Sequence, residues 1–153
     1  MIGTIRTGVA LAGLLALAAA GPRAAQAKPP KLLTFIAVLT GGQVVPPSTS
    51  NAMGVAFLNF ESSTKRLCYS ISYSSMLGTE TEAHLHGDAQ AGQTNAVLYD
   101  LTPLGSPKVS CLGPIKANEE NLLKRGRLYI NIHTDLFVAG EIRGQVLPIP
   151  AAR

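Results

Sequence analysis

The segment Arg66-Leu67-Cys68-Tyr69-Ser70-Ile71-Ser72-Tyr73 alternates between two kinds of residue over its whole length. Its odd-numbered positions are apolar or aromatic, and its even-numbered positions are small or polar. Side chains of an extended chain point to opposite faces in turn, so a period of two is typical of a strand that is buried on one face. The segment therefore predicts a β-strand that packs one face against a core.

Segments of similar character recur on both sides of this strand, separated by clusters of Gly, Pro, Ser and Asn. One short helix is predicted between Asn118, a suitable N-cap, and Gly126, a suitable terminator. Together the elements predict an all-β domain, a single antiparallel β-sandwich with one short helix. The further predicted strands cover residues 32–39, 54–60, 82–86, 96–101, 108–112, 127–133 and 140–147.

Residues 1–27 have the features of a secretory signal peptide: a basic start, an apolar run at 9–20, and Ala25-Gln26-Ala27 before the cleavage point. We therefore expect a mature domain of residues 28–153 in a secreted or periplasmic protein. The apolar run is too short to cross a hydrocarbon core of roughly 30 Å as a helix. Since no later stretch is apolar enough either, integral membrane association is not expected.

The charge of the chain does not indicate a nucleic-acid partner. The formal net charge is +4, but Arg6 and Arg23 lie in the predicted leader, so the mature domain carries only +2. The sequence contains no tryptophan, no stripe of basic and aromatic residues and no Gly-rich phosphate motif. Nothing in the pattern indicates an oligomeric state.

Cys68 and Cys111 are the only cysteines. An even number of cysteines in an exported chain favours a disulfide, which would stabilise the fold by roughly 4 kcal/mol according to the chain-entropy model. The alternative is a pair of buried free thiols.

All three histidines fall on two of the predicted strands. His84 and His86 are two residues apart and share a face, and His133 lies on the polar face of its strand with Tyr129 and Asn131. Three imidazoles from two strands can hold one metal ion and leave a coordination position open. Nitrogen ligands without a thiolate favour copper, or else zinc, over magnesium or calcium. The alternative is that these are solvated histidines or that backbone carbonyl groups satisfy them.

A second group of polar residues is predicted to support such a site. Glu141 and Arg143 share the polar side of the last predicted strand, where Glu141 would accept an imidazole N–H and Arg143 would attract an anion toward the metal. Asp88 and Asp135 are candidates for a fourth ligand or for holding an imidazole, and Asn131 is a further supporting candidate. The alternative for Glu141 and Arg143 is an ion-pair ladder on the sheet surface.

At these segments the chain resembles the CHRD domain, which is named after chordin and is found in many bacterial secreted proteins. The resemblance covers nearly all of residues 28–153 and implies an all-β domain whose biochemical role is poorly defined. Family members usually carry a Pro-Gly turn where this chain has Asp135-Leu136-Phe137-Val138-Ala139, so its loop beside His133 is more apolar. The matching segments are 39–47, 54–57, 67–73, 83–87, 126–134 and 140–145.

A weaker similarity, limited to the three histidines, is to the copper site of Cu,Zn superoxide dismutases. It implies a sandwich of that type as one version of the fold, the other being a Greek-key or immunoglobulin-like sandwich. The chain has no histidine left for a bridging position, so a dinuclear dismutase is not supported. We therefore expect a copper-binding or zinc-binding domain in metal handling or redox chemistry, in which any enzymatic activity would depend on copper. The alternative is a structural or adhesive module that binds an extracellular protein without metal.

Overall fold

The computed structural model describes residues 31–150. The predicted signal peptide lies outside the described residues. The elements, in chain order, are β1 (Leu32–Thr40), a 3-10 turn (Gly41–Gln43), β2 (Met53–Glu61), β3 (Arg66–Ser74), β4 (Glu80–His86), β5 (Val97–Asp100), β6 (Lys108–Leu112), α1 (Ala117–Lys124), β7 (Tyr129–Thr134), β8 (Ile142–Gln145) and β9 (Leu147–Pro148).

The strands form one continuous antiparallel sheet in the order β5-β4-β7-β8-β1-β2-β3-β6, and β9 pairs with β1 beside β8. The sheet curves over a single core, so that Phe35 of β1, Leu67 of β3 and Leu85 of β4 are all almost fully buried in one cluster. The all-β prediction is therefore confirmed. The sandwich-like shape arises from one nearly closed sheet whose two ends, β5 and β6, do not pair with each other.

The alternation of residues 66–73 is present in β3. Leu67, Tyr69 and Ile71 are at most 2% exposed, whereas Ser70 between them is exposed. Cys68 of β3 lies directly opposite a cysteine of β6, and the two form the predicted disulfide, Cys68–Cys111. The disulfide therefore fastens β6, one end strand of the sheet, to β3.

The predicted helix is present, but its N-cap is Lys116 and not Asn118. The difference arises because the Glu119 carboxylate accepts the backbone N–H of Lys116, at 2.8 Å, and so starts the helix earlier. Gly126 follows the helix with a φ of +65° and ends it as expected. Leu123 anchors the helix in the core.

A buried ion pair connects β4 to β6. Lys108 is fully buried and its ammonium group contacts the Glu80 carboxylate. That carboxylate also accepts hydrogen bonds from the Tyr73 hydroxyl and from the backbone N–H of Gly105. These contacts fix the beginning of β4, the strand that carries two of the three histidines.

Across residues 31–150, the structure contains no helix with the length and apolar character needed to cross a bilayer.

Candidate metal centre

The three histidines lie on one face of neighbouring strands. In the antiparallel pairing of β4 with β7, Glu82 is opposite His133, and His84 is opposite Asn131. Because residues two apart on a strand share a face, His84 and His86 project on the same side as His133. The predicted convergence of the three side chains is therefore present in the fold.

The three imidazoles are close enough to share one ion. One ring nitrogen from each of His84, His86 and His133 lies within 4.8 Å of the other two. The ring centroid of His84 is 5.5 Å from that of His86 and 5.0 Å from that of His133. No other group of three or more His, Cys, Asp or Glu side chains in the described part of the chain meets this spacing.

Backbone carbonyl groups orient two of the rings. The Nδ1 atom of His86 lies 2.9 Å from the carbonyl oxygen of Asn95, and that of His133 lies 2.8 Å from the carbonyl oxygen of Val138. Since a carbonyl can only accept, each Nδ1 is the protonated nitrogen and each Nε2 carries the lone pair. Both rings therefore turn a nitrogen that can bind a metal away from their supporting loops.

Two ring nitrogens of the cluster are buried and have no hydrogen-bond partner within residues 31–150. These are Nδ1 of His84 and Nε2 of His86. Leaving a buried polar atom unpaired costs about 1–3 kcal/mol, so native structures rarely retain one without a reason. An ion bound between the rings would satisfy both nitrogens.

Burial favours the neutral form of two of the rings, and acidic groups lie at the edge of the cluster. Burial and the neighbouring His133 ring lower the pKa of His84, and burial lowers that of His86. The Nε2 atom of His84 is 3.4 Å from a carboxylate oxygen of Asp100 and 3.9 Å from one of Glu82. Because both carboxylates are mostly exposed, they make the entrance attractive to cations.

Asn131 of β7 lies beside the cluster, directly opposite His84. Its side-chain amide nitrogen is 3.2 Å from Nε2 of His133 and donates a hydrogen bond to the carbonyl oxygen of Ala139, at 3.0 Å. Its amide oxygen is buried and has no donor among the described residues. A metal ion bound at Nε2 of His133 would therefore replace the hydrogen bond from the Asn131 amide.

Arg143 lies opposite Asn131 on the same face of the sheet as the histidines, but its guanidinium group packs on Tyr129 and makes no hydrogen bond to an imidazole of the described chain. It is 2% exposed, and its guanidinium carbon lies 3.6 Å from the ring centroid of Tyr129. Tyr129 in turn stacks on His86, with a centroid distance of 4.6 Å. Because β7, the strand of Tyr129, lies between β4 and β8, the aromatic ring separates Arg143 from the histidine.

The predicted acidic supporting residues bind groups other than the imidazoles. The Glu141 carboxylate is fully buried and accepts hydrogen bonds from Ser50, Leu77, Gly78 and Thr134. Asp88 pairs with Arg127, and Asp135 accepts the backbone N–H of Thr79. Glu141 precedes the first residue of β8, so strand alternation does not govern its side chain.

Sequence reasoning missed three groups that contact the histidines. Asp100 reaches His84 because β5 pairs with β4, and a pairing between strands leaves no local sequence signal. The other two groups are the backbone carbonyl groups of Asn95 and Val138, which belong to loops. Every residue has such a group, so its role leaves no signal in the sequence.

The fold and this geometry define an all-β domain whose sheet carries a three-histidine cluster between neighbouring strands. The family model of the CHRD domain matches residues 35–146, which is most of the chain, so the chain belongs to the CHRD domain family. CHRD domains occur in extracellular proteins. Comparisons with curated proteins and with solved structures give no match.

Proposed function

We propose that this CHRD domain binds one transition-metal ion, copper in preference to zinc, through His84, His86 and His133. The observation that carries the proposal is the pair of buried ring nitrogens without a partner, on His84 and His86, beside a third imidazole within 4.8 Å. Coordination at about 2.1 Å would bring the nitrogens to roughly 3.4 Å from one another. Movements of the ring nitrogens by about 1 Å would be enough to close the cluster around an ion.

The donor chemistry favours copper. Neutral imidazole nitrogens suit copper and zinc, whereas magnesium and calcium prefer oxygen ligands. The soft thiolate ligands are excluded because Cys68 and Cys111 are joined in a disulfide. Three protein ligands leave a position open for water or an exogenous ligand, which suits either transfer of the ion or single-electron chemistry.

We further propose that the protein works in the periplasm or outside the cell. The predicted signal peptide, the disulfide and the occurrence of CHRD domains in extracellular proteins support this location. In such compartments the exposed carboxylates of Glu82 and Asp100 would raise the local concentration of cations at the cluster.

Metal quantification tests the site directly. The full chain is loaded with Cu(II) or Zn(II), dialysed and assayed for bound metal. We expect one copper ion per wild-type chain, a loss of tight binding in His84→Ala and His86→Ala, and unchanged stoichiometry in Asp88→Asn. The aspartate variant is a suitable control because Asp88 lies near the same strand but pairs with Arg127. Full stoichiometry in both histidine variants would refute the site.

Electron paramagnetic resonance separates the metal site from the alternative of a protein-binding module. A mononuclear site with three imidazoles should give a single type 2 Cu(II) spectrum with nitrogen hyperfine structure. Several loosely bound species, unchanged by the histidine substitutions, would instead favour a structural or adhesive role for the domain.

The pH dependence of copper binding gives a further test. Protonated imidazole cannot coordinate, so protons compete with the metal. Because the pKa values of His84 and His86 are lowered from 6.5, affinity should hold at neutral pH and weaken only as the pH falls below about 6.5. Copper titrations at pH 7.5 and pH 5 measure this, and equal affinities would contradict coordination by three histidines.

A further inference from the structure

A second concave site lies on the other side of Tyr129 from the histidines. It is a cavity of about 370 Å³ between the segment that follows β1 and the β4–β5 loop, residues 87–96. Arg143 and Gln145 of β8 line it together with apolar groups of Val44, Val45, Pro47 and Ala91. Its volume is near the lower end of the range for small-molecule sites.

Arg143 is a buried cation without an anion. It is 2% exposed, and none of the residues from 31 to 150 places a carboxylate within 4.0 Å of its guanidinium group. Its only hydrogen bonds in that range run from Nη2 to the carbonyl oxygens of Gln90, at 3.4 Å, and Gln93, at 2.6 Å. Arginine stays protonated, and the Tyr129 ring and these two carbonyl groups offset part of the cost of burying its charge, but no anion neutralises it within residues 31–150.

A second polar atom in this cavity wall also lacks a partner. The side-chain nitrogen of Gln145 donates to the carbonyl oxygens of Ala89 and Gly126, both at 2.8 Å. Its Oε1 atom is buried and receives no hydrogen bond from the described residues. An ionised ligand has no hydrogen to donate to this oxygen, so Arg143, which has no anionic partner among the described residues, is the group in the cavity wall that would bind an anion.

We propose that this cavity binds a small organic carboxylate with a short apolar body. The carboxylate would pair with the Arg143 guanidinium, and the apolar body would contact Val44, Val45 and Ala91. A single cation matches one carboxylate better than a multiply charged phosphate, which usually requires several donors. The proposal does not depend on metal binding, because none of the three histidines lines the cavity.

Nuclear magnetic resonance titration of the metal-free full chain tests the proposal, with butyrate as the probe and butyramide as its neutral counterpart. We expect saturable shifts of the amide signals of Gln43, Ala91 and Gly92 with butyrate, and at least tenfold weaker binding of butyramide, since charge-assisted hydrogen bonds are worth a factor of this size. Equal responses to both probes, or shifts that do not saturate, would overturn the proposal.

Two substitutions locate the site. Arg143→Gln should weaken butyrate binding about tenfold or more, whereas Arg125→Gln, which removes an exposed arginine after the helix, should leave it unchanged. Gly42→Leu should block the cavity and abolish binding. An added Cβ at Gly42 meets no atom within 4 Å, so this variant should fold even where Arg143→Gln does not. Wild-type affinity in Gly42→Leu would overturn the assignment of the cavity.

Discussion

Replacement of Glu141 by glutamine is expected to destabilise the domain strongly, although the two side chains have almost the same shape. One carboxylate oxygen accepts hydrogen bonds from the Ser50 hydroxyl, at 2.7 Å, and the Leu77 backbone N–H, at 2.6 Å. The other accepts from the Gly78 backbone N–H, at 3.1 Å, and the Thr134 hydroxyl, at 2.9 Å. The carboxylate thus connects three separate parts of the chain beside β7.

The size of the effect follows from these four donors. Whichever position the amide nitrogen of glutamine takes, it faces one backbone N–H, which loses its acceptor at a cost of about 1–3 kcal/mol. The hydroxyl groups can rotate, but the remaining hydrogen bonds become neutral and weaker. We therefore expect Glu141→Gln to lower the free energy of unfolding by about 3 kcal/mol or more.

Urea unfolding at pH 7 with the disulfide intact measures this difference. Glu82→Gln removes the same charge from an exposed side chain and should change stability by no more than about 0.5 kcal/mol. If Glu141→Gln destabilised the domain by less than about 1 kcal/mol, the four hydrogen bonds would not have the energetic role assigned to them.

The same variant should alter the response to acid. Burial alone would raise the pKa of Glu141, but its hydrogen bonds outweigh burial and lower the pKa below 4.5. A lowered folded-state pKa stabilises the fold at neutral pH, and this contribution is lost as the pH falls below about 4.5. The stability difference between wild type and Glu141→Gln should therefore shrink in acid, and a constant difference would contradict this account.

Three further predictions concern stability. Cys68→Ser/Cys111→Ser should lose about 4 kcal/mol, because a loop of 43 residues is no longer closed, and dithiothreitol should destabilise the wild type but not this variant. Lys108→Met should cost about 3–5 kcal/mol in urea unfolding because it leaves the Glu80 carboxylate buried without a cation, and a double-mutant cycle with Glu80→Gln should recover part of the loss. Gly140→Ala should lower the melting temperature, since φ is +119° and the new methyl group would overlap the Asn131 amide; an unchanged melting temperature would show that the loop adapts.

The strands could be predicted because their local pattern and their burial agree. In β3 the alternation of apolar and polar residues follows the core directly, so Leu67 and Ile71 are buried as expected. The end strand β5 was predicted two residues too long, and the segment 140–147 was predicted as one strand although Val146 separates β8 from β9. Such boundaries depend on which neighbouring strand offers hydrogen bonds, and local sequence does not contain that information.

In the candidate site, too, the features set by local sequence could be predicted, and those set by contacts with distant segments could not. Strand alternation placed His84 and His86 on one face, and the antiparallel pairing then brought His133 to them. Strand alternation did not predict the partners of Glu141, because its carboxylate accepts hydrogen bonds from backbone N–H groups of the β3–β4 loop, residues 75–79. The interactions that orient the rings come largely from loops, whose course is set by tertiary packing.

The β4–β5 loop gives the two proposed sites a common support. The carbonyl oxygen of Asn95 positions the His86 ring, and those of Gln90 and Gln93 hold Arg143. A ligand that shifts this loop at one site changes the free energy of binding at the other, and thermodynamic linkage requires the effect to be equal in both directions. Substitutions that change the conformation of this loop would therefore be expected to affect both proposed sites together.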